Sequence, residues 1–100
     1  MKAIWNGTVI AEAPKEALIR IEGNWYFPPE AIKKEYFTNS DHKTVCHWKG
    51  EASYYDVTVN GQKNDFGAWY YHEPKEGSIE RVRKDFTDYV AFWNGIEITE

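Results

Sequence analysis

Apolar and aromatic residues in this chain occur in short runs that are separated by turn-forming pairs. Three of the separators are Asn-Gly pairs, at Asn6-Gly7, Asn60-Gly61 and Asn94-Gly95. Asn and Gly tolerate the positive φ values that two-residue hairpin turns require. The segments around these pairs are typical of strands, namely 3–5, 8–11, 54–59, 89–93 and 96–98. The pattern therefore predicts an antiparallel protein with a hairpin at each of the three pairs.

Two further apolar segments lie between the first and second pairs. Residues 18–21 and 25–27 are rich in β-branched and aromatic side chains, which predicts two more short strands. Pro28-Pro29 ends the second of them, because proline cannot donate a ladder hydrogen bond. Pro29 suits the first position of a helical turn, so a short turn through Ile32 is predicted there.

A second helical piece is predicted after Pro74. Ser78 can cap a turn in which Ile79, Val82 and Phe86 form an apolar stripe, with charged residues between them. No linker, repeat or low-complexity segment interrupts the chain. The predicted fold class is therefore mainly β, with small antiparallel curved sheets and one or two short helical turns, in a single domain spanning residues 1–100.

Composition indicates a globular domain, and the net charge argues against nucleic-acid binding. One hundred residues fit one core and one main site, and 42% hydrophobic with 28% charged residues is a globular balance. The net charge of −4 repels phosphate backbones, so nucleic acid is not an expected partner.

Cysteine content and hydropathy indicate the compartment. Cys46 is the only cysteine, which excludes an intrachain disulfide and favours the reducing cytoplasm. The first residues lead directly into the turn at Asn6-Gly7 without a signal-like apolar core, and no segment is long enough to span a membrane. We therefore expect a cytoplasmic protein with no membrane partner.

Aromatic residues make up 17% of the chain. In a small β domain, broad rings usually fill the core between sheets. Some of them could instead line a cavity. Sugar binding by ring stacking is a weaker alternative, because such modules are usually exported.

Polar and reactive groups concentrate in residues 40–55. If residues 44–48 form a strand, Cys46 shares a face with Thr44 and Trp48, and His42 leans toward the same face. Cationic neighbours such as Lys49 stabilise a thiolate, so Cys46 is a candidate site residue. The alternative is that Cys46 is a small buried hydrophobe without reactivity.

The spacing of metal ligands and phosphate-binding residues argues against both kinds of site. One cysteine and three histidines could complete a zinc site only with ligand-like spacing, and neither C-x-x-C nor H-x-x-x-H occurs. We therefore assign no metal and no cofactor. A P-loop is also absent, although Lys49 and the turn amides at Gly50 could bind a small anion.

A set of residues spread over nearly the whole chain carries a family resemblance. They are Tyr26-Phe27-Pro28; Ser40-Asp41-His42 with Thr44, Cys46, Lys49, Gly50, Ala52 and Tyr54; Ala68-Trp69 with Tyr71 and Pro74; and Tyr89-Val90-Ala91-Phe92. On these residues the chain resembles the bacterial family described as domain of unknown function 427 (DUF427). The resemblance implies a compact, curved all-β fold, similar to the β-tent group, with a cavity at one edge. Related β-tent domains hold zinc with paired C-x-x-C motifs, which this sequence lacks.

The family has also carried a nucleotidyltransferase label. Nucleotidyl transfer normally needs two or three carboxylates that hold Mg²⁺ against a triphosphate. Asp41, Asp56 and Asp65 lie on separate segments, and no D-x-D pair places two carboxylates on one strand face. The sequence therefore does not predict this activity, and whether the protein is an enzyme stays open.

Two functions remain from the sequence. The first is a β domain that binds a small molecule, which can be an anion, in an aromatic-walled cavity. The candidate ligand-binding residues are Asp41, His42, Cys46, Lys49, Trp69 and Tyr71. The alternative is a non-catalytic module for protein interaction or homo-oligomerisation, in which exposed rings and a sheet edge dock a partner. Either a monomer or a homodimer fits these expectations.

Overall fold

The computed structural model describes all 100 residues and consists mainly of short strands. The strands are β1 (Lys2–Trp5), β2 (Thr8–Glu12), β3 (Ile19–Ile21), β4 (Asn24–Tyr26), β5 (Phe37–Cys46), β6 (Gly50–Val59), β7 (Gln62–Tyr70), β8 (Val90–Phe92) and β9 (Glu97–Thr99). The single α-helix is α1 (Ser78–Val82), and 3₁₀ turns cover Lys15–Ala17, Pro29–Ala31 and Lys34–Tyr36.

The strands form three antiparallel sheets. Their orders are β2-β1-β9, β3-β4 and β5-β6-β7-β8. The prediction of a mainly β, antiparallel fold is confirmed. No helix reaches the length and hydropathy needed to cross a lipid bilayer.

Two of the three predicted Asn-Gly hairpins are confirmed. Asn6-Gly7 joins β1 to β2, and Asn60-Gly61 joins β6 to β7. All four residues have φ values between 50° and 77°, the left-handed region that these turns require.

The prediction of a hairpin at Asn94-Gly95 is wrong. The turn itself forms, with φ values of 57° and 89°, but the strands on either side belong to different sheets. β8 pairs with β7, whereas β9 crosses to pair with β1. A turn pair determines the local reversal of the chain, but burial of Ile96 in the main core decides which strand β9 joins.

A hairpin that we did not predict lies at Glu22-Gly23. This pair has φ values of 53° and 84° and joins β3 to β4. The two short strands were predicted individually, but their pairing was missed because Glu-Gly is a weaker hairpin signal than Asn-Gly.

The predicted helical pieces are present but short. The turn that opens at Pro29 forms as expected. The helix after Pro74 has only five residues, and Ser78 does not cap it: Gly77 occupies the N-cap position, while the Ser78 hydroxyl donates to the carbonyl of Lys75 at 2.5 Å. Phe86 lies beyond the helix, where it is fully buried.

Buried side chains form two clusters. The larger one lies beneath the β2-β1-β9 sheet and includes Ile10, Phe27 and Val57. The smaller one joins the β3–β4 hairpin to the four-stranded sheet through Tyr26 and Tyr71. Five of the aromatic rings are buried in these clusters and most of the others pack against them while partly exposed. The smaller cluster supports the candidate site.

Candidate functional site

The centre of the candidate site is Lys49, in the turn between β5 and β6. The strand predicted through Trp48 is wrong at its end, because β5 stops at Cys46. The Lys49 carbonyl accepts the N–H of Lys75 at 2.9 Å. Gly50 has a φ of 108°, and a Cβ added there would lie 3.1 Å from the Lys75 nitrogen. A glycine is therefore required for this turn to pack against the following loop.

The ammonium group of Lys49 lies among aromatic rings. Its side chain is only 7% exposed, and its Nζ atom pairs with the Glu22 carboxylate. Nζ also lies 5.6 Å from the ring centroid of Tyr71 and 5.3 Å from that of Trp48. Such distances are within the range of cation–π attraction, which is stronger in a desolvated setting.

A pocket of about 250 Å³ opens beside this group, and we call it the Lys49 pocket. Its lining residues are Lys49, Tyr54, Trp69, Tyr71 and Trp93. Tyr54 on β6 and Trp69 on β7 are direct cross-strand partners, which brings their side chains to the same sheet face.

Burial of Tyr26 beneath the pocket fixes the orientation of Trp69. The indole Nε1 of Trp69 donates to the hydroxyl of Tyr26 at 3.1 Å, and the two rings meet edge to face. The pocket therefore has a positioned aromatic wall.

The electrostatics make Lys49 a fixed cation. Burial lowers the pKa of Lys49, but the hydrogen bond to Glu22 and the nearby Tyr26 outweigh it, and the pKa is raised above its ordinary value. The hydrogen bond from Lys49 in turn lowers the pKa of Glu22. Burial raises the pKa of Tyr71, so this phenol is neutral. The site can attract negative charge, but Lys49 is not available as a neutral amine nucleophile.

Three of the six sequence-predicted site residues meet in this pocket: Lys49, Trp69 and Tyr71. Cys46 is close by, half-buried, opposite Gly50 in the strand register and packed against the same aromatic cluster. It is a free thiol that does not line the pocket.

His42 and Asp41 lie farther along β5, at an irregularity in the β5–β6 pairing between Asn39 and Lys43. The His42 ring contacts the Tyr54 ring, with centroids 4.7 Å apart, and Tyr54 packs in the same cluster as Cys46. His42 therefore lies on the sheet face that the alternation predicted, although it does not line the Lys49 pocket. Asp41 is exposed and does not line the pocket.

Sequence reasoning missed three residues of the site: Glu22, Tyr54 and Trp93. Tyr54 was placed in a strand and among the resemblance residues but not in the predicted site, because its opposition to Trp69 depends on the β6–β7 register. Glu22 reaches Lys49 from a separate hairpin, a contact with no local sequence signal. Trp93 comes directly before Asn94-Gly95, and its position before a turn was the only available indication.

Other depressions on the surface are larger but have a different chemical character. One of about 470 Å³ surrounds the stacked rings of Tyr55 and Tyr70 and includes an exposed His72, whose Nδ1 lies 2.8 Å from Asp88 Oδ1. Its charged groups are largely exposed to solvent, and none of them is a buried cation like Lys49. No three His, Cys, Asp or Glu side chains lie close enough together to hold a metal ion.

A family model described as a domain of unknown function (DUF427) matches residues 1–99. No curated protein matches the chain.

Proposed function

Since this chain belongs to the DUF427 family, whose description assigns no function, we propose a function from the site itself: the protein binds a small anionic molecule in the Lys49 pocket. The ligand's anionic group lies at Lys49 Nζ, and its body lies against the aromatic walls. We place this activity in the cytoplasm, where a free cysteine such as Cys46 stays reduced.

The observation that carries this proposal is the burial of a lysine whose charge partner is itself half-exposed. The Lys49 side chain is 7% exposed, whereas that of Glu22 is 54% exposed. Desolvating an ammonium group is costly, and a well-packed apolar residue would avoid that cost. A buried cation in a concave, aromatic-lined site is a typical anchor for the charged group of a ligand.

The Glu22 carboxylate marks where a ligand anion would bind. It is presented by the two-residue turn between β3 and β4, and Trp48 Nε1 donates to its second oxygen at 3.4 Å. A ligand carboxylate or phosphate would meet the same two donors, Lys49 Nζ and Trp48 Nε1, after Glu22 moves toward solvent. This exchange needs no metal and no covalent step.

The proposal is tested by following backbone amide NMR signals while small anions are added. The panel contains inorganic phosphate, decahydro-2-naphthoate and 2-naphthoate. We expect at least one anion to shift the signals of Trp69 and Tyr71 in a saturable way. Glu22→Gln should strengthen this binding, because the competing carboxylate is lost, and Lys49→Met should abolish it.

Lys15→Met is the matched control, since Lys15 is an exposed lysine whose only ion pair is a 3.6 Å contact with Glu100. This variant should bind like the wild type. If no anion in the panel binds either the wild type or Glu22→Gln, the proposal is wrong. Equal binding by Lys49→Met would also contradict it.

A second candidate function, self-association, rests on the outer edge of the four-stranded sheet. β5 is an edge strand of ten residues, and it carries Val45, whose side chain is 79% exposed. An unpaired edge with an exposed apolar residue can add a strand from a second copy. Light scattering across a concentration series tests this. A dimer that Val45→Asp dissociates would support it, and a monomer at all concentrations would contradict it.

A further inference from the structure

Next to the Lys49 pocket, β7 contains a residue in an unusual backbone conformation. Phe66 has a φ of 58°, a region that L-residues with bulky side chains rarely adopt. It lies in a bulge, because Tyr55 pairs with Ala68 while Val57 pairs with Asn64, which leaves Asp56 opposite three residues.

Hydrogen bonds from two other segments hold this bulge in place. The buried Asp56 carboxylate accepts the Phe66 N–H at 3.0 Å, and the indole Nε1 of Trp93 donates to the Phe66 carbonyl. The Asn94 side-chain amide donates to Asn64 Oδ1 at 3.1 Å and to the Asp65 carbonyl at 3.2 Å. A strained residue fixed by so many groups is typical of a position that serves binding rather than folding.

The bulge holds two large rings in solvent. Phe66 is 37% exposed and Trp93 50% exposed. The Phe66 ring stacks on His42 with centroids 4.2 Å apart and an interplanar angle of 23°. Tyr54 meets both rings edge-on. We call Phe66, His42 and Trp93 the aromatic rim.

The aromatic rim continues the wall of the Lys49 pocket. Trp93 belongs to both, and Tyr54 joins the pocket lining to His42 and Phe66. A buried cation thus lies at one end of a continuous aromatic surface. Flat rings recognise other flat rings by stacking, and a saturated group of equal size gains less from such faces.

We infer that the anion bound at Lys49 carries a planar aromatic ring system, which packs against the aromatic rim; the ligand class is an aromatic carboxylate or a similar aromatic anion. This inference rests on the proposed function and adds the chemistry of the ligand's body to it. Phe66 and Trp93 then determine specificity, while Lys49 supplies the charge recognition.

The test uses calorimetric titration with three matched probes. They are 2-naphthoate, which has the charge and the flat ring; decahydro-2-naphthoate, which has the charge but no flat ring; and 2-naphthalenemethanol, which has the ring but no charge. We expect 2-naphthoate to bind about tenfold more tightly than either of the others, the gain expected for one or two stacked rings.

Phe66→Gly removes the rim ring and also suits the positive φ at this position, so the bulge should be retained. We expect it to bring 2-naphthoate affinity down to that of the saturated acid, whose own affinity should not change. Phe66→Leu is a second variant that keeps apolar bulk without a flat face, and it should behave in the same way. Lys15→Met, the exposed-lysine control used above, lies outside the rim and should leave all three affinities unchanged.

Each other outcome has a distinct meaning. Equal binding of both acids, abolished by Lys49→Met, would keep the anion site and overturn the aromatic class. Equal binding of the neutral alcohol and 2-naphthoate would overturn charge recognition and the inference with it. Retention of the 2-naphthoate preference in both Phe66 variants would show that the rim does not provide it. Binding of phosphate but of neither acid would keep the anion site and overturn the aromatic class, whereas binding of none of the three anions would overturn the proposed function itself.

Discussion

The buried ammonium group of Lys49 is paired with the half-exposed carboxylate of Glu22, which lies 27 positions earlier in the chain. The pair joins the β3–β4 hairpin to the turn between β5 and β6. It therefore links two sheets and at the same time occupies the position where we propose that a ligand anion binds.

We expect Glu22→Gln to lower the free energy of unfolding at neutral pH by about 1 kcal/mol, because it leaves Lys49 charged and unpaired. This is less than the ~3–5 kcal/mol for breaking a fully buried pair, since water screens the exposed Glu22. The Lys49→Met/Glu22→Gln double variant should recover much of the loss, because no buried charge remains.

The ion pair between Glu22 and Lys49 should make the free energy of unfolding depend on pH in a defined way. The pKa of Glu22 is lowered from its ordinary 4.5 in the folded protein. The stabilisation from the pair is therefore present above that value and is lost as the pH falls through the folded-state pKa. Urea unfolding should show that the difference in free energy of unfolding between wild type and Glu22→Gln becomes smaller as the pH is lowered. Glu80→Gln, at an exposed helix position, is the control. A difference between wild type and Glu22→Gln that does not depend on pH would contradict this account.

Removal of the Asp56 side chain should disrupt the bulge more than removal of its ion-pair partner. Asp56→Ala leaves the Phe66 N–H without its acceptor, and an unsatisfied amide of this kind costs about 1–3 kcal/mol. Lys63→Ala removes an exposed lysine 3.4 Å from Asp56, and because water screens that pair the loss of stability should be clearly smaller than in Asp56→Ala. Denaturant unfolding compares the two, and equal losses would show that the hydrogen bond to Phe66 is not the main role of Asp56.

The pKa of His72 should lie above 6.5, because its Nδ1 atom is 2.8 Å from Asp88. Because the pKa of His72 is raised in the folded state, the stabilisation from its interaction with Asp88 is present below the unfolded-state pKa. It is lost as the pH rises through the folded-state pKa. NMR titration of the imidazole signals should show the pKa falling in Asp88→Asn. Asp85→Asn is the control, since that carboxylate bonds Thr87 instead. An unchanged value in Asp88→Asn would mean that the pair does not form in solution.

Cys46 should react with iodoacetamide in the folded state, because its side chain is only half-buried. The rate is measured by mass spectrometry against the rate of global unfolding. Labelling that occurs only upon unfolding would assign Cys46 to the core, as the alternative sequence interpretation holds.

Local sequence signals were sufficient for most strands and for two hairpins. Asn6-Gly7 and Asn60-Gly61 were correctly interpreted because the positive φ preference of Asn-Gly acts within two residues. The same preference produced the turn at Asn94-Gly95. It could not identify the partner of β9, since that choice depends on burial of Ile96 among residues from distant segments.

The sequence by itself determined the antiparallel β class and the family, and it predicted Lys49, Trp69 and Tyr71 as site residues, which the structure brings to one pocket. Only the tertiary structure placed Glu22 on the ammonium group and Tyr54 opposite Trp69. The left-handed backbone conformation of Phe66, which positions its ring in the aromatic rim, was also visible only in the structure. Turn and strand preferences act over a few residues of backbone, whereas charge pairing and ring packing depend on register and on contacts between segments far apart in the chain.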